Sequence, residues 1–313
     1  MKPGHKLWVV SNIMMDVAAY VDQWPEHAGD ILAHKGLARP GGAFNVIAAA
    51  SRLGMKTVYG GLVGGGPFGQ TIQKHLKELN VKMALAPIND GDTGFAIAIV
   101  EPNGQPTYIT VLGCERQLHA THLRSLEIAA EDAVYLSGYN LVIEPSATAI
   151  PHWLPTLKAS HVLLDPGPLI RDIPPKLFDE VIQYVSILSL NQREAALLTG
   201  KTKPDAALRV ITEQVQPNTT VIIRVGADGA WVMDASGNPL RIPTRQAHAA
   251  DTTGAGDVHC AALLARMTEV SFEQAVYEAN ICASLAVERL GSSESPSLPE
   301  LKQCLRQIQR YPR

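Results

Sequence analysis

Short apolar runs recur along the chain and are separated by stretches with helical periodicity. The runs are LWVV (7–10), KTVYGGLV (56–63), DAVYLSG (132–138), HVLLD (161–165), SILSLN (186–191) and TTVIIRVG (219–226). Runs that are apolar at successive positions are typical of strands buried on both faces. Strands of this kind alternating with helices predict an α/β fold, in which a mainly parallel central sheet is flanked by helices.

Five stretches between these runs have the pattern of helices. They cover residues 45–54, 68–80, 193–200, 257–267 and 271–291. Several end on glycine or asparagine, which commonly follow the last turn of a helix.

Two further segments, residues 16–38 and 92–112, alternate between apolar and polar positions as antiparallel strands do. The second contains EPNGQP (101–106), which is typical of a hairpin turn. No internal repeat, low-complexity tract or linker divides the 313 residues. We therefore expect one domain over residues 1–313, with a small β-sheet lid formed by insertions at about 16–38 and 92–112.

Composition narrows the classes of partner. The chain is 46% apolar and 18% charged with a net charge of −3, which is typical of a globular protein and gives no basic footprint for nucleic acid. No apolar stretch approaches the roughly 18 residues that a membrane span needs. The four cysteines form no C-x-x-C pair, which indicates reduced thiols. These features predict a cytoplasmic protein without nucleic-acid or membrane partners.

Two glycine-containing motifs resemble nucleotide sites. GGGPFG (64–69) matches the dinucleotide fingerprint G-x-G-x-x-G, and Asp90 and Asp92 follow a little over 20 residues later. That fingerprint usually lies in the first strand-helix-strand unit of its domain, whereas another strand and turn come first here. An NAD(P)-binding dehydrogenase is thus a less favoured alternative. GKT (200–202) lacks the upstream glycine of a P-loop, since Ala195 stands there, and is better interpreted as a helix stop.

DTTGAGD (251–257) has small residues between hydroxyls and a carboxylate, directly before a long apolar run. Asp257 can cap the helix that follows. Alternatively, the unpaired first N–H groups of that helix can bind an anion that glycines allow to approach. A carboxylate at this end can then accept the proton of a hydroxyl that attacks a phosphate. The heptapeptide alone leaves both interpretations open.

DTTGAGD resembles the C-terminal signature of the PfkB, or ribokinase-like, family of carbohydrate kinases. PGGAFNVIAAASRLG (40–54) resembles the N-terminal signature of the same family, in the expected order. The resemblance implies a ribokinase-like fold and an ATP-dependent phosphotransferase that acts on a hydroxyl of a small sugar or sugar-like substrate. It makes Asp257 the catalytic base and assigns the anion hole to the backbone of Gly254, Ala255 and Gly256.

The resemblance also assigns the substrate and nucleotide sites. Sugar binding falls to Asn12 and Asp16 after the first strand and to Gly41, Gly42 and Asn45. A carboxylate such as Asp16 suits a polyol, because it can accept two hydroxyl hydrogen bonds. ATP binding falls to Asn191, Arg224, Gly226, Gly229 and Asn280. A polar strand end at Asn12, an exposed strand position at Arg224 and an ordinary helix position at Asn280 are the structural alternatives.

Cation sites follow from the same resemblance. NQRE (191–194) resembles the N-x-x-E motif associated with Mg²⁺, so Glu194 would act on the metal through water. The same four residues fit a helix capping box, and both roles can hold. Asp251 and Thr253 match the monovalent-cation loop of the family, which leaves K⁺ as an open cofactor. A homodimer through lid residues such as Val21 or Trp24 is equally open.

Three positions depart from the family pattern. Gly66 stands where an aspartate is common, Glu115 replaces the last residue of G-A-N, and His259 replaces a common aromatic. They surround the expected sugar pocket and leave the substrate open. A nucleoside kinase of the same family and a non-catalytic sugar sensor therefore remain alternatives.

Overall fold

The computed structural model describes residues 5–102, 106–291 and 294–310. Within these residues the strands are β1 (Lys6–Val10), β2 (Ile13–Tyr20), β3 (Lys35–Gly42), β4 (Lys56–Tyr59), β5 (Lys82–Met83), β6 (Phe95–Val100), β7 (Pro106–Val111), β8 (Ala133–Ser137), β9 (His161–Asp165), β10 (Ile187–Asn191), β11 (Thr220–Arg224), β12 (Ala230–Met233) and β13 (Pro239–Ile242). The helices are α1 (Ala43–Arg52), α2 (Pro67–Glu78), α3 (Ala120–Arg124), α4 (Ser146–Trp153), α5 (Pro175–Val181), α6 (Gln192–Thr199), α7 (Pro204–Thr212), α8 (Ala255–Arg266), α9 (Phe272–Ala286) and α10 (Leu298–Arg310).

The larger sheet has the strand order β13-β12-β11-β10-β9-β8-β1-β4-β5. Neighbours from β11 to β5 pair in parallel, while β12 and β13 add an antiparallel edge. Helices cover both faces of this sheet. The predicted α/β fold with a mainly parallel sheet is confirmed.

The two faces of the larger sheet bury two separate cores. Successive side chains of a strand point to opposite faces. On β1, Leu7 and Val9 belong to the core that contains α1, α8 and α9, whereas Trp8 and Val10 belong to the core that contains α4, α5 and α7. This division explains why the strand is apolar at every position from Leu7 to Val10, as the sequence pattern indicated.

A second sheet, here called the small sheet, consists of β2, β3, β6 and β7 in the order β3-β2-β6-β7. Its strands reach beyond the predicted segments, since β2 begins at residue 13 and β3 ends at residue 42. Residues 21–34 lie outside its strands. The central pair β2-β6 is parallel rather than antiparallel, because each is the first strand of its own insertion. Residues 103–105 of the proposed hairpin turn lie outside the described residues.

Several element boundaries differ from the sequence predictions. β4 ends at Tyr59 instead of residue 63, because Gly60 and Gly61 leave the sheet, and a side chain at 61 would lie 2.4 Å from the Tyr59 hydroxyl. α9 ends at Ala286, before residue 291. Helices α3, α4, α5, α7 and α10 were not predicted. Gly200 ends α6 in the left-handed conformation with φ 69°, which confirms the helix stop.

The residues expected to be exposed for a homodimer, Val21 and Trp24, differ in their exposure. Trp24 is 44% exposed, but Val21 is buried at 4% and donates its N–H to Val100. Ile109 and Val111 of β7 are instead the exposed apolar residues of the sheet. Among the described helices, none combines the length and apolar character required to cross a bilayer.

Candidate active site

Polar side chains gather at the carboxyl edge of the larger sheet. This edge is where β1, β8, β9, β10 and β11 end. The first turns of α1 and α8 lie beside it. Ligands of α/β proteins bind in the crevice outside this edge, where helix N-termini and strand ends meet. The residues of the two signature segments lie in this region.

Asn45 and Asp257 connect the two signature segments directly. Each is the third residue of its helix, α1 and α8 respectively. The Asn45 Nδ2 donates a hydrogen bond to Asp257 Oδ2 at 2.9 Å. The Asn45 Oδ1 is buried and has no hydrogen-bond partner within the described residues, so it is available as an acceptor. The structure thus brings together two residues that the sequence placed 212 positions apart.

The carboxylate of Asp257 has an unusual acidity. Its pKa is raised to about 7, chiefly by burial and also by the charges of Asp165 and Asp16, against the Asn45 hydrogen bond and the Arg224 charge, which lower it. A proton acceptor is most effective when its pKa lies near the working pH. Asp257 is therefore suited to accept a proton near neutrality.

The first turn of α8 provides donors for an anion. Gly254 is the N-cap residue and has φ 76°, a left-handed conformation that favours glycine. The N–H of Ala255 is already donated to the carbonyl of Thr252 at 3.3 Å. The N–H groups of Gly256 and Asp257 have no acceptor within the helix, because first-turn donors precede the intrahelical ladder. These two groups are the donors through which this turn can hold an anion.

Beneath that turn lies a buried ion cluster around Arg224. Its guanidinium donates to Asp165 Oδ2 at 2.9 Å and Oδ1 at 3.3 Å, and lies 3.7 Å from Glu194 Oε2. A side chain at Gly256 would lie 2.7 Å from Arg224 Nη1, so the guanidinium touches the glycine backbone. The prediction placed Arg224 against ATP. The structure places its side chain, 11% exposed, under the α8 turn, and contact with ATP stays a prediction.

The NQRE segment forms a capping box at the start of α6. Asn191 Oδ1 accepts the N–H of Glu194 at 2.9 Å, and the Glu194 carboxylate accepts the Asn191 N–H at 2.7 Å and Nδ2 at 2.6 Å. Burial and the Asp165 charge raise the pKa of Glu194, while Arg224 lowers it. The structural alternative for this motif is confirmed, without excluding a metal role.

The charges of this cluster bear on the expected Mg²⁺. No three His, Cys, Asp or Glu side chains in the described ranges stand close enough to hold a metal ion by themselves. Asp165 and Glu194 nevertheless share a single guanidinium, that of Arg224. When both carboxylates are ionised, the cluster carries one excess negative charge. Because Mg²⁺ binds through one or two carboxylates, waters and substrate phosphates, these residues fit it.

The substrate residues of the N-terminal signature surround Asp16. A side chain at Gly41 would lie 1.9 Å from Asp16 Oδ2, and one at Gly42, where φ is 58°, would lie 2.8 Å from the carbonyl of Asn12. A side chain at either position would clash with these atoms, which explains why both residues are glycine. The pKa of Asp16 is raised to about 6, because burial outweighs the charge of the facing Arg39 of β3, which lowers it. Asn12 is buried at 8%.

Two tyrosines near these acids were not predicted. Tyr139 lies two residues after the end of β8, and burial together with the charges of Asp257 and Asp16 raises its pKa. Burial and the charge of Asp16 likewise raise the pKa of Tyr108 on β7, while Thr253 lowers it. Tyr139 could have been predicted from the sequence, because it follows a strand of the parallel sheet. No comparable signal marked Tyr108, because it lies on an ordinary alternating strand.

Asn280 lies in the interior of the protein. Its Nδ2 donates to the carbonyls of Ile242 at 3.0 Å and Pro243 at 3.1 Å, and its Oδ1 accepts from His259 Nε2 at 3.1 Å. Burial lowers the pKa of His259 to about 3, so its ring is neutral. The amide thus holds the segment after β13, and contact of Asn280 with adenine stays a prediction. His259 supports Asn280 in place of the aromatic residue of the family.

The remaining predicted residues shape two loops. Gly226 and Gly229 form a tight turn after β11 with φ 60° and 89°, and a side chain at 229 would lie 2.1 Å from the Ile242 carbonyl. Asp251 accepts the N–H of Thr253 at 2.9 Å and that of Gly291 at 3.0 Å. Its carboxylate therefore organises the loop that the resemblance assigned to a monovalent cation.

The G-x-G-x-x-G segment has a structural explanation. Asp92 accepts the N–H of Phe68 at 2.9 Å and of Gly69 at 2.7 Å, which caps α2. A side chain at Gly66 would lie 2.5 Å from Asp92 Cγ. Asp92 thus supplies the carboxylate that the family carries at position 66. Since this helix N-terminus already holds an anion, it does not offer a free dinucleotide phosphate site.

Comparison with known proteins identifies the family. The model of the pfkB family carbohydrate kinases matches residues 5–300. The chain is 30% identical over 299 residues to the sugar kinase YegV of Escherichia coli (strain K12), covering 94% of this chain and 92% of that protein. Ribokinase of Mus musculus is 28% identical over 299 residues, which covers 92% and 90% of the two chains.

A solved structure shares the fold. Aminoimidazole riboside kinase from Salmonella enterica superimposes with a TM-score of 0.79 at 22% identity, covering 96% of this chain and all of that one (100%). The ribokinase-like fold expected from the signatures is confirmed. The family match spans nearly the whole chain and includes both signature segments. The chain therefore belongs to the pfkB family of carbohydrate kinases and is an ATP-dependent phosphotransferase.

Proposed function

We propose that the protein transfers the γ-phosphoryl group of ATP to a hydroxyl of a small sugar, with Asp257 as the base. Membership of the family makes it a sugar or nucleoside kinase. One observation supports the finer proposal most strongly: the Asp257 carboxylate has a pKa near 7 and stands at the first turn of α8, where free N–H groups point outward. A proton acceptor and an anion site are therefore adjacent.

Asp257 acts on the acceptor hydroxyl. As the hydroxyl oxygen attacks phosphorus, the O–H proton passes to Asp257, and the bond between phosphorus and the departing ADP oxygen breaks. The Asn45 hydrogen bond holds the carboxylate in position for this transfer. Both the high pKa and the fixed orientation favour transfer to Asp257 rather than to solvent.

The first turn of α8 stabilises the charge on the transferred group. The N–H groups of Gly256 and Asp257 and the positive end of the helix attract phosphate oxygens. Arg224 lies directly behind Gly256, but its charge is paired with Asp165 and Glu194, so the backbone donors of the turn carry this role. Donors fixed before the reaction stabilise developing charge without reorganising.

The acceptor sugar is held by the N-terminal signature and the segment after β1. Asp16 accepts hydrogen bonds from sugar hydroxyls, and the backbone at Gly41 and Gly42 allows the sugar to approach closely. Asn45 contributes its free Oδ1 on the same side. The small sheet carries Asp16, so we propose that it is the lid of a single kinase domain spanning residues 1–313 and that it excludes water.

The nucleotide occupies the side of β10 and β11. The turn at Gly226 and Gly229 and the segment held by Asn280 line this side. Mg²⁺ would be held by Glu194 through water and would neutralise phosphate charge when bound. Asp251 and Thr253 provide the loop for K⁺, if a monovalent cation activates the enzyme.

Cellular location and assembly follow from the same properties. The four cysteines are free and buried, which suits the reducing cytoplasm. Ile109, Val111 and Trp24 expose apolar surface on or beside the small sheet. We propose that a homodimer covers this surface, since contiguous exposed apolar residues commonly mark an interface.

A nucleoside acceptor is the second candidate. Tyr108 is 48% and Tyr139 is 37% exposed, and both lie near Asp16. Aromatic faces beside the acceptor carboxylate could stack on the base of a nucleoside. A sugar without a base would leave these faces in contact with solvent or the closed small sheet.

An acceptor panel tests the proposal. ADP release with MgATP is measured for D-ribose, D-fructose, adenosine and aminoimidazole riboside, with and without K⁺. We expect turnover with a free sugar, with one ADP released for each sugar molecule that is phosphorylated. Turnover only with nucleosides would establish the second candidate. Sugar binding without turnover would contradict the proposed reaction.

A further inference from the structure

The chain enters and leaves the β6-β7 hairpin through two peptides in contact. Gly94 directly precedes β6, and Gly113 follows β7 after one intervening residue. A side chain at Gly94 would lie 2.3 Å from the carbonyl of Val111, and one at Gly113 would lie 2.3 Å from the Gly94 nitrogen. The two connections between the β6-β7 hairpin and the rest of the protein therefore pack backbone against backbone.

Glu115 bridges these two connections. Its Oε2 accepts the N–H of Gly94 at 2.8 Å, and its Oε1 accepts the N–H of Gly113 at 2.8 Å. The residue is 1% exposed. In the described part of the chain its side chain has no cationic partner, so the two N–H groups are its compensation. A buried carboxylate without a cation is costly unless hydrogen bonds satisfy it, which makes the bridge sensitive to the loss of either acceptor.

The bridge continues to the acceptor site. The carbonyl of Gly94 accepts the N–H of Met15 at 3.0 Å, and Met15 immediately precedes Asp16. In the same register β2 pairs with β6, Met15 opposite Phe95. Displacement of Gly94 would therefore move the strand that carries Asp16.

We infer that Glu115 is a positioning residue of the acceptor site, because its carboxylate binds the N–H of Gly94, the residue whose carbonyl is paired with the Asp16 strand. The inference rests on the proposed function only in naming Asp16 as the acceptor ligand. Glu115 acts through Gly94 and Met15 and does not need to touch the substrate. It also gives a role to a residue that departs from the family pattern.

Glu115→Gln tests this role. Glutamine has nearly the same size but only one carbonyl oxygen, so its NH₂ group would face one of the two backbone N–H groups. Glu115→Asp is the second variant, since it keeps the charge but is one methylene too short to span both donors. If one of the two variants fails to fold, the other still tests the role of Glu115.

Asp132→Asn is the matched control. Asp132 is also fully buried and accepts N–H groups of Lys6 at 2.9 Å, Trp8 Nε1 at 2.8 Å and Ala129 at 3.1 Å. It lies just before β8, at the edge of the larger sheet opposite the site. Asn at this position loses an acceptor in the same way as Gln at 115. Its effects report the cost of a damaged buried carboxylate alone.

Steady-state kinetics separate the two roles. With D-ribose or D-fructose, whichever the wild type phosphorylates, Glu115→Gln should raise the KM of the sugar by about tenfold and that of ATP by less than about twofold. Asp132→Asn should change neither KM. Equal changes in both KM values, or a sugar KM no higher than that of the control, would overturn the inference.

Amide hydrogen exchange gives a readout that does not depend on turnover. Exchange in the peptide covering residues 13–20 should be faster in Glu115→Gln than in the wild type and unchanged in Asp132→Asn. Unchanged exchange in both variants would overturn the inference. If no panel compound is phosphorylated but exchange accelerates as expected, the proposed function fails while the positioning of the Asp16 strand by Glu115 is supported.

Discussion

Asn45 Nδ2 donates to Asp257 Oδ2 at 2.9 Å, and this bond joins the first turns of α1 and α8. One helix begins beside the acceptor residues and the other beside the phosphate site. The bond therefore sets the position of the carboxylate relative to both substrates. It also stabilises the ionised form of Asp257, which is the form that accepts a proton.

Removal of the Asn45 amide should change the pH dependence of turnover. Asp257 must be ionised to act as a base, so kcat should rise with pH through about 7. Asn45→Ala removes a donor that lowers the pKa, and the rise should move upward by about one pH unit. A pH-rate profile of both proteins measures this shift. An unchanged profile with a uniformly lower kcat would show that Asn45 does not tune Asp257.

The high pKa of Asp257 also predicts how stability depends on pH. The unfolded chain ionises this group near 3.8, whereas the folded protein ionises it at about 7. Its contribution to stability is thus present below pH 3.8 and is lost as the pH rises through about 7. Asp257→Asn should therefore increase the free energy of unfolding at pH 8 by roughly 1 to 3 kcal/mol, and by less at pH 5. Urea denaturation at both pH values checks this, and a variant that is less stable than the wild type at pH 8 would contradict it.

The ion cluster under α8 should be sensitive to the loss of one member. Arg224→Met leaves Asp165 and Glu194 buried without their guanidinium and should cost about 3 kcal/mol. Addition of Asp165→Asn should recover part of this loss, because it removes one unpaired charge. Urea denaturation of the single and double variants measures the coupling. Strictly additive losses would show that the two residues do not compensate each other.

Gly66 and Asp92 should exchange roles. Asp92→Ala removes the carboxylate from the α2 N-terminus and should cost about 1 kcal/mol. Gly66→Asp alone should be worse, since its side chain would meet Asp92 at 2.5 Å. Gly66 has an extended conformation that suits a capping aspartate, so Gly66→Asp with Asp92→Gly should restore most of the stability. Thermal unfolding of the three variants tests this, and a double variant no better than Gly66→Asp would refute the exchange.

Local sequence patterns were enough to predict much of the fold and to identify candidate residues for the centre of the site. Apolar strands buried on both faces have a pattern that helices rarely imitate, so the larger sheet was predictable. The glycine-rich helix start made Asp257 a candidate base as well as a candidate cap, and the resemblance to the family signatures favoured the base and assigned Asn45. Short helices such as α3 and α5, with five and seven residues, give too little periodicity to be recognised.

Contacts between distant segments were not predictable. Asp165 ends a strand run that was recognised, but its ion pair with Arg224 spans 59 residues. Glu115 and Asp92 act on backbone groups of other segments, and a sequence does not show where those groups lie.

Helix α10, in contrast, could have been predicted from the sequence. Leu298, Leu301 and Leu305 already have helical spacing there.

Turnover of Asp257→Asn tests the central claim most directly. With the acceptor that the wild type phosphorylates, kcat should fall by roughly 10²- to 10⁴-fold, the usual contribution of a positioned base. Unfolding at pH 8 serves as the control that the variant remains folded. A kcat close to that of the wild type would contradict the assignment of Asp257 as the base.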